Sequence, residues 1–137
     1  MCLMLRFELL KGLAMPRATL DVSHIHPAIQ EKIAHHQQAM VQEVQSALAA
    51  HAVVVVGMRM NPFPRKARRA LEAAGVAYHY LEYGSYFNTW RERNALKMWT
   101  GWPTFPMVFV RGILIGGAGE LDKLIASGEL KAVLGSA

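Results

Sequence analysis

The stretch NPFP at residues 61–64 is the first place in this chain to look for chemistry. It separates four consecutive valines, at 53–56, from a basic run at 65–69. The end of a buried strand that leads into a helix is a common catalytic position, because free N–H groups and the helix dipole stabilise an anion there. None of the four side chains is a nucleophile. By itself the stretch predicts a capped helix without chemistry, with Asn61 as N-cap and a proline in the first turn.

Two further groups of residues are suited to binding an anion. Arg93 and Lys97 lie four apart and would share one face of a helix, where they could hold a carboxylate; the alternative is a solvated cationic face. Residues 117–119, Gly-Ala-Gly, precede Glu120 at a predicted junction of strand and helix, where unpaired N–H groups favour an anion. A plain turn is the alternative there.

The segment Thr104-Phe105-Pro106 could recognise an extended peptide. A peptide bond that precedes proline adopts the cis form at a cost of only about 0.5–1 kcal/mol. A cis bond before Pro106 would turn the N–H and C=O of Phe105 outward, where an extended chain could pair with them as a short added strand. A trans proline that opens an edge strand is the alternative.

The sequence gives little reason to expect a metal site. Cys2 is the only cysteine, so neither an internal disulfide nor a cysteine cluster can form within one chain. The six histidines are scattered without a recognised spacing for metal ligands. We therefore expect no bound metal.

The chain is basic, with a formal net charge of +5 and a pI of about 9.7. Its densest basic cluster, at 65–69, indicates a solvated helix face or a surface for an acidic protein partner. Aromatic residues do not alternate with these cations, so nucleic acid is not expected as a partner. Residues 1–15 are apolar but interrupted by Arg6, Glu8 and Lys11, which disfavours a signal peptide, and Met15 is an alternative start. We expect a cytoplasmic protein that does not associate with membranes.

Hydrophobic periodicity predicts alternating helices and strands. We expect one helix or two in series at 27–50, followed by a buried strand at 52–57 and a helix at 63–74. A strand at 76–83 and a helix at 86–99 that includes Phe87 come next. Two strands at 106–110 and 113–115, joined by a tight turn, precede a helix that begins at Glu120 and breaks near Gly128. This order predicts an α/β fold with a mixed four-stranded sheet and helices on both of its faces. We divide the chain into a tail (1–25), a helical extension (26–50) and a main domain (51–137).

Three stretches of the main domain resemble the glutaredoxin family, which has the thioredoxin fold. They are WPTFPMVFVRG at 102–112, IGG at 115–117, and RNALK at 93–97 with the spacing found in monothiol glutaredoxins. The resemblance implies a thioredoxin-like three-layer α/β/α architecture with an added N-terminal helix. It also implies that Pro106 follows a cis bond and that glutathione is the ligand. The implied glutathione-binding residues are Arg93, Lys97, Thr104, Phe105, Pro106, Gly117, Ala118 and Gly119.

The chain departs from the family at the redox site itself. Asn61 and Pro64 occupy the positions of the active-site Cys and of the second Cys or Ser, and neither side chain can form a mixed disulfide or ligate an iron–sulfur cluster. The family also has a lysine at Met58, and Cys-Asp at residues 118–119. We therefore expect a degenerate, non-thiol member that binds glutathione or a peptide. The alternatives are a glutathione-dependent oxidoreductase or transferase that uses the thiol of bound glutathione, and a protein-interaction module.

Overall fold

The computed structural model describes residues 17–85 and 89–135. A short 3₁₀ turn at Val22–His24 precedes six helices and four strands among these residues. The helices are α1 (Pro27–His35), α2 (Gln38–Ala50), α3 (Pro62–Ala73), α4 (Trp90–Thr100), α5 (Ala118–Ser127) and α6 (Glu129–Gly135); the strands are β1 (Val53–Gly57), β2 (His79–Glu82), β3 (Met107–Val110) and β4 (Ile113–Gly116). No helix in this part of the chain is long and apolar enough to cross a membrane.

The four strands form one mixed sheet in the order β2-β1-β3-β4. Strand β1 pairs with β2 in parallel and with β3 in antiparallel orientation, and β3 pairs with β4 in antiparallel orientation. Arg111 and Gly112 both have positive φ, of 50° and 78°, in the two-residue connection between β3 and β4. Positive φ at both central positions matches the twist of a hairpin. The predicted mixed sheet and α/β class are confirmed.

The alternation of side chains along β1 divides the core into two clusters, one on each face of the sheet. Val54 and Val56 pack with α2 and α4, whereas Val53 and Val55 pack with α3, α5 and α6. This is a three-layer α/β/α arrangement. Because Met40, Val44 and Ala47 of α2 are buried in the first cluster, the second half of the helical extension belongs to the same packed unit as the sheet.

Several predicted boundaries differ from the observed ones for local reasons. Of the two alternatives predicted for 27–50, the structure has two helices in series, because Gln37 adopts a left-handed conformation with φ of 52°. Strand β2 begins three residues later than predicted, because the N–H of Val76 donates to the carbonyl of Leu71 and closes the end of α3 behind Gly75, which has φ of 73°. Helix α4 begins at Trp90; the predicted helical residue Phe87 lies outside the described residues.

Candidate functional site

The N-terminus of α3 lies at the end of the central strand, where the sequence indicated chemistry. Asn61 caps α3, since its side-chain oxygen accepts a hydrogen bond from the N–H of Phe63 at 3.0 Å. Pro64 is buried under the first turn, and a Cβ atom added to Gly57 would lie 2.7 Å from Pro64 Cβ. The capped helix therefore sits so close to β1 that only glycine fits at residue 57.

Asn61 makes a second contact that its role as an N-cap does not require. Its Nδ2 donates to the backbone carbonyl of Phe105 at 3.4 Å. The peptide bond between Phe105 and Pro106 is cis. The carboxamide of Asn61 thus connects the start of α3 to the turn that leads into β3, at the position where the resemblance would place a sulfur atom.

A pocket of about 290 Å³ lies between this turn, the start of α5 and the exposed ring of Phe63. It brings together six of the predicted binding residues, and three further residues contribute to its lining. The lining residues are Phe63, Trp102, Thr104, Phe105, Pro106, Gly117, Ala118, Gly119 and Glu120. The pocket therefore combines an aromatic wall, a segment before β3 and a helix N-terminus.

The start of α5 supplies hydrogen-bond donors to this pocket. Gly117, its N-cap, makes no side-chain hydrogen bond to the helix, and the intrahelical ladder begins with the N–H of Leu121 donating to the carbonyl of Gly117. The preceding N–H groups of the first turn, at 118–120, point toward the N-terminal end of the helix, where an anion is favoured. Glu120 places one carboxylate beside these donors.

Trp102 and Glu120 were not among the predicted binding residues. The indole Nε1 of Trp102 is buried and has no hydrogen-bond partner among the residues that the structure describes. It lies 3.8 Å from the position that a Cβ atom at Gly117 would occupy. The position of Trp102 just before the Pro103-Thr104 step could have indicated its place in the pocket. The position of Glu120 in the first turn of the predicted helix could have indicated that its side chain lies at the pocket.

Arg93 and Lys97 share helix α4 as predicted, but their surroundings differ. Arg93 is only 6% exposed, and its Nη1 donates to the carbonyl of Tyr83 at 3.1 Å and to Oγ1 of Thr89 at 3.0 Å. Lys97 is partly buried, with its Nζ 5.8 Å from the centre of the Phe105 ring. Neither residue is part of the pocket lining among the described residues, but Lys97 approaches Phe105, which is.

The residues that precede the site also differ from the family pattern. Met58 is buried in the core cluster that contains α2 and α4. Arg59 is largely exposed, and its Nε lies 3.5 Å from a carboxylate oxygen of Glu82. Neither side chain reproduces the free lysine that the resemblance would place at residue 58. In the two described ranges, no three His, Cys, Asp or Glu side chains are grouped so that they could hold a metal ion.

Comparison with known proteins identifies glutaredoxins and a glutaredoxin-like protein as relatives of this chain. Residues 53–115 match the family model described as Glutaredoxin. A glutaredoxin-like protein of Dictyostelium discoideum is 44% identical over 98 residues, which cover 72% of this chain and 80% of that protein. The bifunctional monothiol glutaredoxin-S16 of Arabidopsis thaliana is 32% identical over 69% of this chain, which spans 34% of that protein.

The fold has close counterparts among solved structures. The complex of buckwheat glutaredoxin with glutathione is similar to this chain with a TM-score of 0.64 at 22% identity. The similarity covers 74% of this chain and 92% of the buckwheat protein. At this level of identity, the comparison supports the fold.

Proposed function

Because this chain belongs to the glutaredoxin family, we propose that it binds glutathione or a short extended peptide without thiol chemistry of its own. One observation carries the proposal: the pocket of about 290 Å³ that joins Phe105 and Pro106 to the N-terminus of α5. The glutathione complex of the buckwheat protein, which has the same fold, supports this class of ligand.

In the proposed complex, the ligand lies along the segment before β3. The backbone of Phe105 pairs with the central peptide unit of the ligand, as an added strand would. One ligand carboxylate sits against the N–H groups that begin α5, because these donors and the helix dipole favour a negative charge. The ring of Phe63, which is 54% exposed, covers the apolar part of the ligand.

The second carboxylate of glutathione is assigned to Lys97. The ammonium group of Lys97 lies near the Phe105 ring, so it can approach a ligand that is paired with Phe105. The guanidinium of Arg93, by contrast, already donates to Tyr83 and Thr89. Arg93 then contributes by holding α4 in place rather than by contacting the carboxylate.

This proposal does not include exchange of disulfides by the protein itself. Asn61 stands where the family has its nucleophile, and an amide can neither form a mixed disulfide nor ligate iron. The role is that of a binding or regulatory module, with glutathione as ligand rather than as substrate.

Calorimetry with reduced glutathione tests the proposal directly. We expect saturable heat at millimolar ligand for the wild-type chain, and weaker binding for Lys97→Ala. Lys131→Ala is the matched control, since it removes the same charge from an exposed position on α6. Absence of binding by the wild-type chain at millimolar glutathione would reject the proposal.

Restoring sulfur tests whether only the nucleophile is missing. Asn61→Cys places a thiol at the N-terminus of α3, where the helix dipole favours a thiolate. If the pocket binds glutathione, this variant should gain exchange with glutathione disulfide. Pro64→Cys is the control, because Pro64 is buried in the first turn of the same helix.

A second candidate function is catalysis through the thiol of bound glutathione. The hydrogen bond from Asn61 Nδ2 to Phe105 is long, at 3.4 Å, so the amide could instead donate to a glutathione thiolate. An oxidoreductase or transferase of this kind would turn over hydroxyethyl disulfide or an electrophile in the presence of glutathione. Activity that persists in Asn61→Ala would reject a role for the amide.

An acidic protein partner is compatible with binding in the pocket. Arg65, Lys66 and Arg69 are exposed on α3, next to the exposed ring of Phe63. A peptide that enters the pocket would therefore meet a positive surface if its flanking residues are acidic. Charge reversal at Lys66 should weaken such a peptide more than it weakens glutathione.

A further inference from the structure

Helix α1 leaves an apolar face exposed. None of its nine residues is buried, and Ile29 and Ile33 are 45% and 50% exposed. A helix of nine residues is unstable in water unless its apolar face is packed. Both isoleucines therefore leave apolar surface on α1 that a further segment can cover.

A groove lies next to this exposed face. It has a volume of about 320 Å³ and runs between the α1–α2 corner and the outer side of α4. Its apolar lining includes Ile33, Val41, Met98 and Trp99, of which Met98 is 58% and Trp99 39% exposed. The described lining also includes His36 and three glutamines, at 38, 42 and 45, but no Asp, Glu, Lys or Arg. It therefore suits a chain segment that presents apolar side chains on one face and can form hydrogen bonds along the edge.

The described chain begins beside this groove. The guanidinium Nη2 of Arg17 donates to the carbonyl of Met98 at 3.1 Å, at the end of α4. Arg17 therefore lies at the C-terminal end of α4, where Met98 and Trp99 are located. Sixteen residues can span up to about 50 Å when extended, so their reach is sufficient to follow the groove to α1.

The sequence of residues 1–16 has the composition that the groove requires. Leu3, Phe7 and Leu10 follow one another at spacings of four and three, which is the spacing of one apolar helix face. Arg6 and Lys11 lie between and beyond them and could remain in solvent. An attached segment also has a high effective concentration at an adjacent groove, which favours it over a second copy of the chain or a separate protein.

From this composition, attachment point and uncovered surface, we propose that residues 1–16 dock in the groove between α1, α2 and α4 and cover Ile33, Met98 and Trp99. The inference goes beyond the proposed ligand pocket and does not depend on it. The docked segment completes the packing of α1.

The sole cysteine of the 137 residues allows a direct test. A bimane label on Cys2 is quenched by a tryptophan at short range, and Trp99 is the tryptophan in the groove. We expect the fluorescence of the labelled wild-type protein to be quenched and to recover in Trp99→Phe. Trp90→Phe is the matched control, because Trp90 is exposed at the opposite end of α4. Equal fluorescence of the wild-type and Trp99→Phe proteins would overturn the proposal.

A second pair of variants tests the segment instead of the groove. Phe7→Gln/Leu10→Gln removes two apolar side chains and should abolish the quenching. Arg6→Gln/Lys11→Gln introduces the same new residues at charged positions and should preserve it. Equal loss in both variants contradicts apolar docking. Quenching that increases with protein concentration, together with a dimer in light scattering, would identify a second copy as the occupant and would also overturn the proposal.

Discussion

The carboxamide of Asn61 joins two parts of the site, because its Oδ1 accepts from the N–H of Phe63 and its Nδ2 donates to the carbonyl of Phe105. One side chain therefore caps α3 and also holds the turn before β3. At the position where the resemblance places the nucleophile of the family, this chain has a side chain that connects α3 to the turn before β3. The connection explains how the site can keep its shape without sulfur.

Asn61→Ala should lower the free energy of unfolding by about 1–2 kcal/mol, because it removes the N-cap acceptor together with the bond to Phe105. Asn61→Asp keeps the acceptor and should cost less, about 0.5–1.5 kcal/mol, because only the donor to Phe105 is lost. Urea denaturation of the three proteins measures both differences. Equal stability of Asn61→Ala and wild type would contradict the observed cap.

Gly57→Ala should destabilise the fold by about 1–3 kcal/mol, since a methyl group there would lie 2.7 Å from Pro64 Cβ and 2.9 Å from the hydroxyl of Tyr80. Gly119→Ala is the matched control, because a Cβ atom at residue 119 meets nothing within 4 Å. We expect the control to lie within about 1 kcal/mol of wild type in thermal or urea unfolding. Similar stabilities of the two variants would show that the junction of β1 and α3 can relax.

Arg93→Ala should lower the free energy of unfolding by about 2–3 kcal/mol, because the buried guanidinium donates to Tyr83 and Thr89 and its removal leaves a carbonyl without that donor. Arg91→Ala, on the exposed side of the same helix, should change it by no more than about 0.5 kcal/mol. Chemical denaturation provides the comparison. If Arg93→Ala instead weakens glutathione binding and leaves stability unchanged, Arg93 is a ligand contact.

Alkaline pH should destabilise the fold through two tyrosines. Burial, reinforced by Glu82, raises the pKa of Tyr80 to about 12, and burial together with Glu43 raises the pKa of Tyr83 above its ordinary value. The folded state therefore holds these protons more tightly than the unfolded state does. The resulting stabilisation is complete below about pH 10 and is lost as the pH rises through about 12.

Urea midpoints measured between about pH 9 and about pH 12 test this dependence. The double variant Tyr80→Phe/Tyr83→Phe should lose less stability across that interval than wild type, because it lacks the two shifted groups. The control is the stability difference between the same two proteins at pH 7. Both tyrosines of the wild-type protein are protonated there, so this difference reports only the hydrogen bonds that the double variant lacks. An identical slope in the two proteins would refute the linkage.

Much of the fold was predictable because its signals are local. The valine run and its alternation determine a central strand buried on both faces, and Asn61 followed by Pro62 determines where α3 begins. Arg111-Gly112 determines the hairpin, because its length permits only a tight turn. That residue 61 carries no sulfur also follows from the sequence alone, since it depends only on which side chain stands there.

The tertiary structure determined which candidate binding residues line the pocket and which of them instead hold helix α4 in place. A spacing of four places Arg93 and Lys97 on one helix, but only the tertiary packing buries Arg93 against Tyr83 and leaves Lys97 near Phe105. The contact between Asn61 and Phe105 joins residues 44 positions apart. No local preference encodes it, because it depends on how β1 and β3 pair.

The exposure of the apolar face of α1 likewise could not be predicted from hydrophobic periodicity. The apolar spacing of Ile29 and Ile33 predicts a buried helix face, and it does so correctly for α2, whose Val44 is fully buried. In α1 the same pattern remains half exposed, because the sheet is already covered by α2 and α4 on that side. The sequence determines which side chains are apolar and therefore favour burial. Whether they are buried depends on the elements available to pack against them, and only the tertiary structure determines those elements.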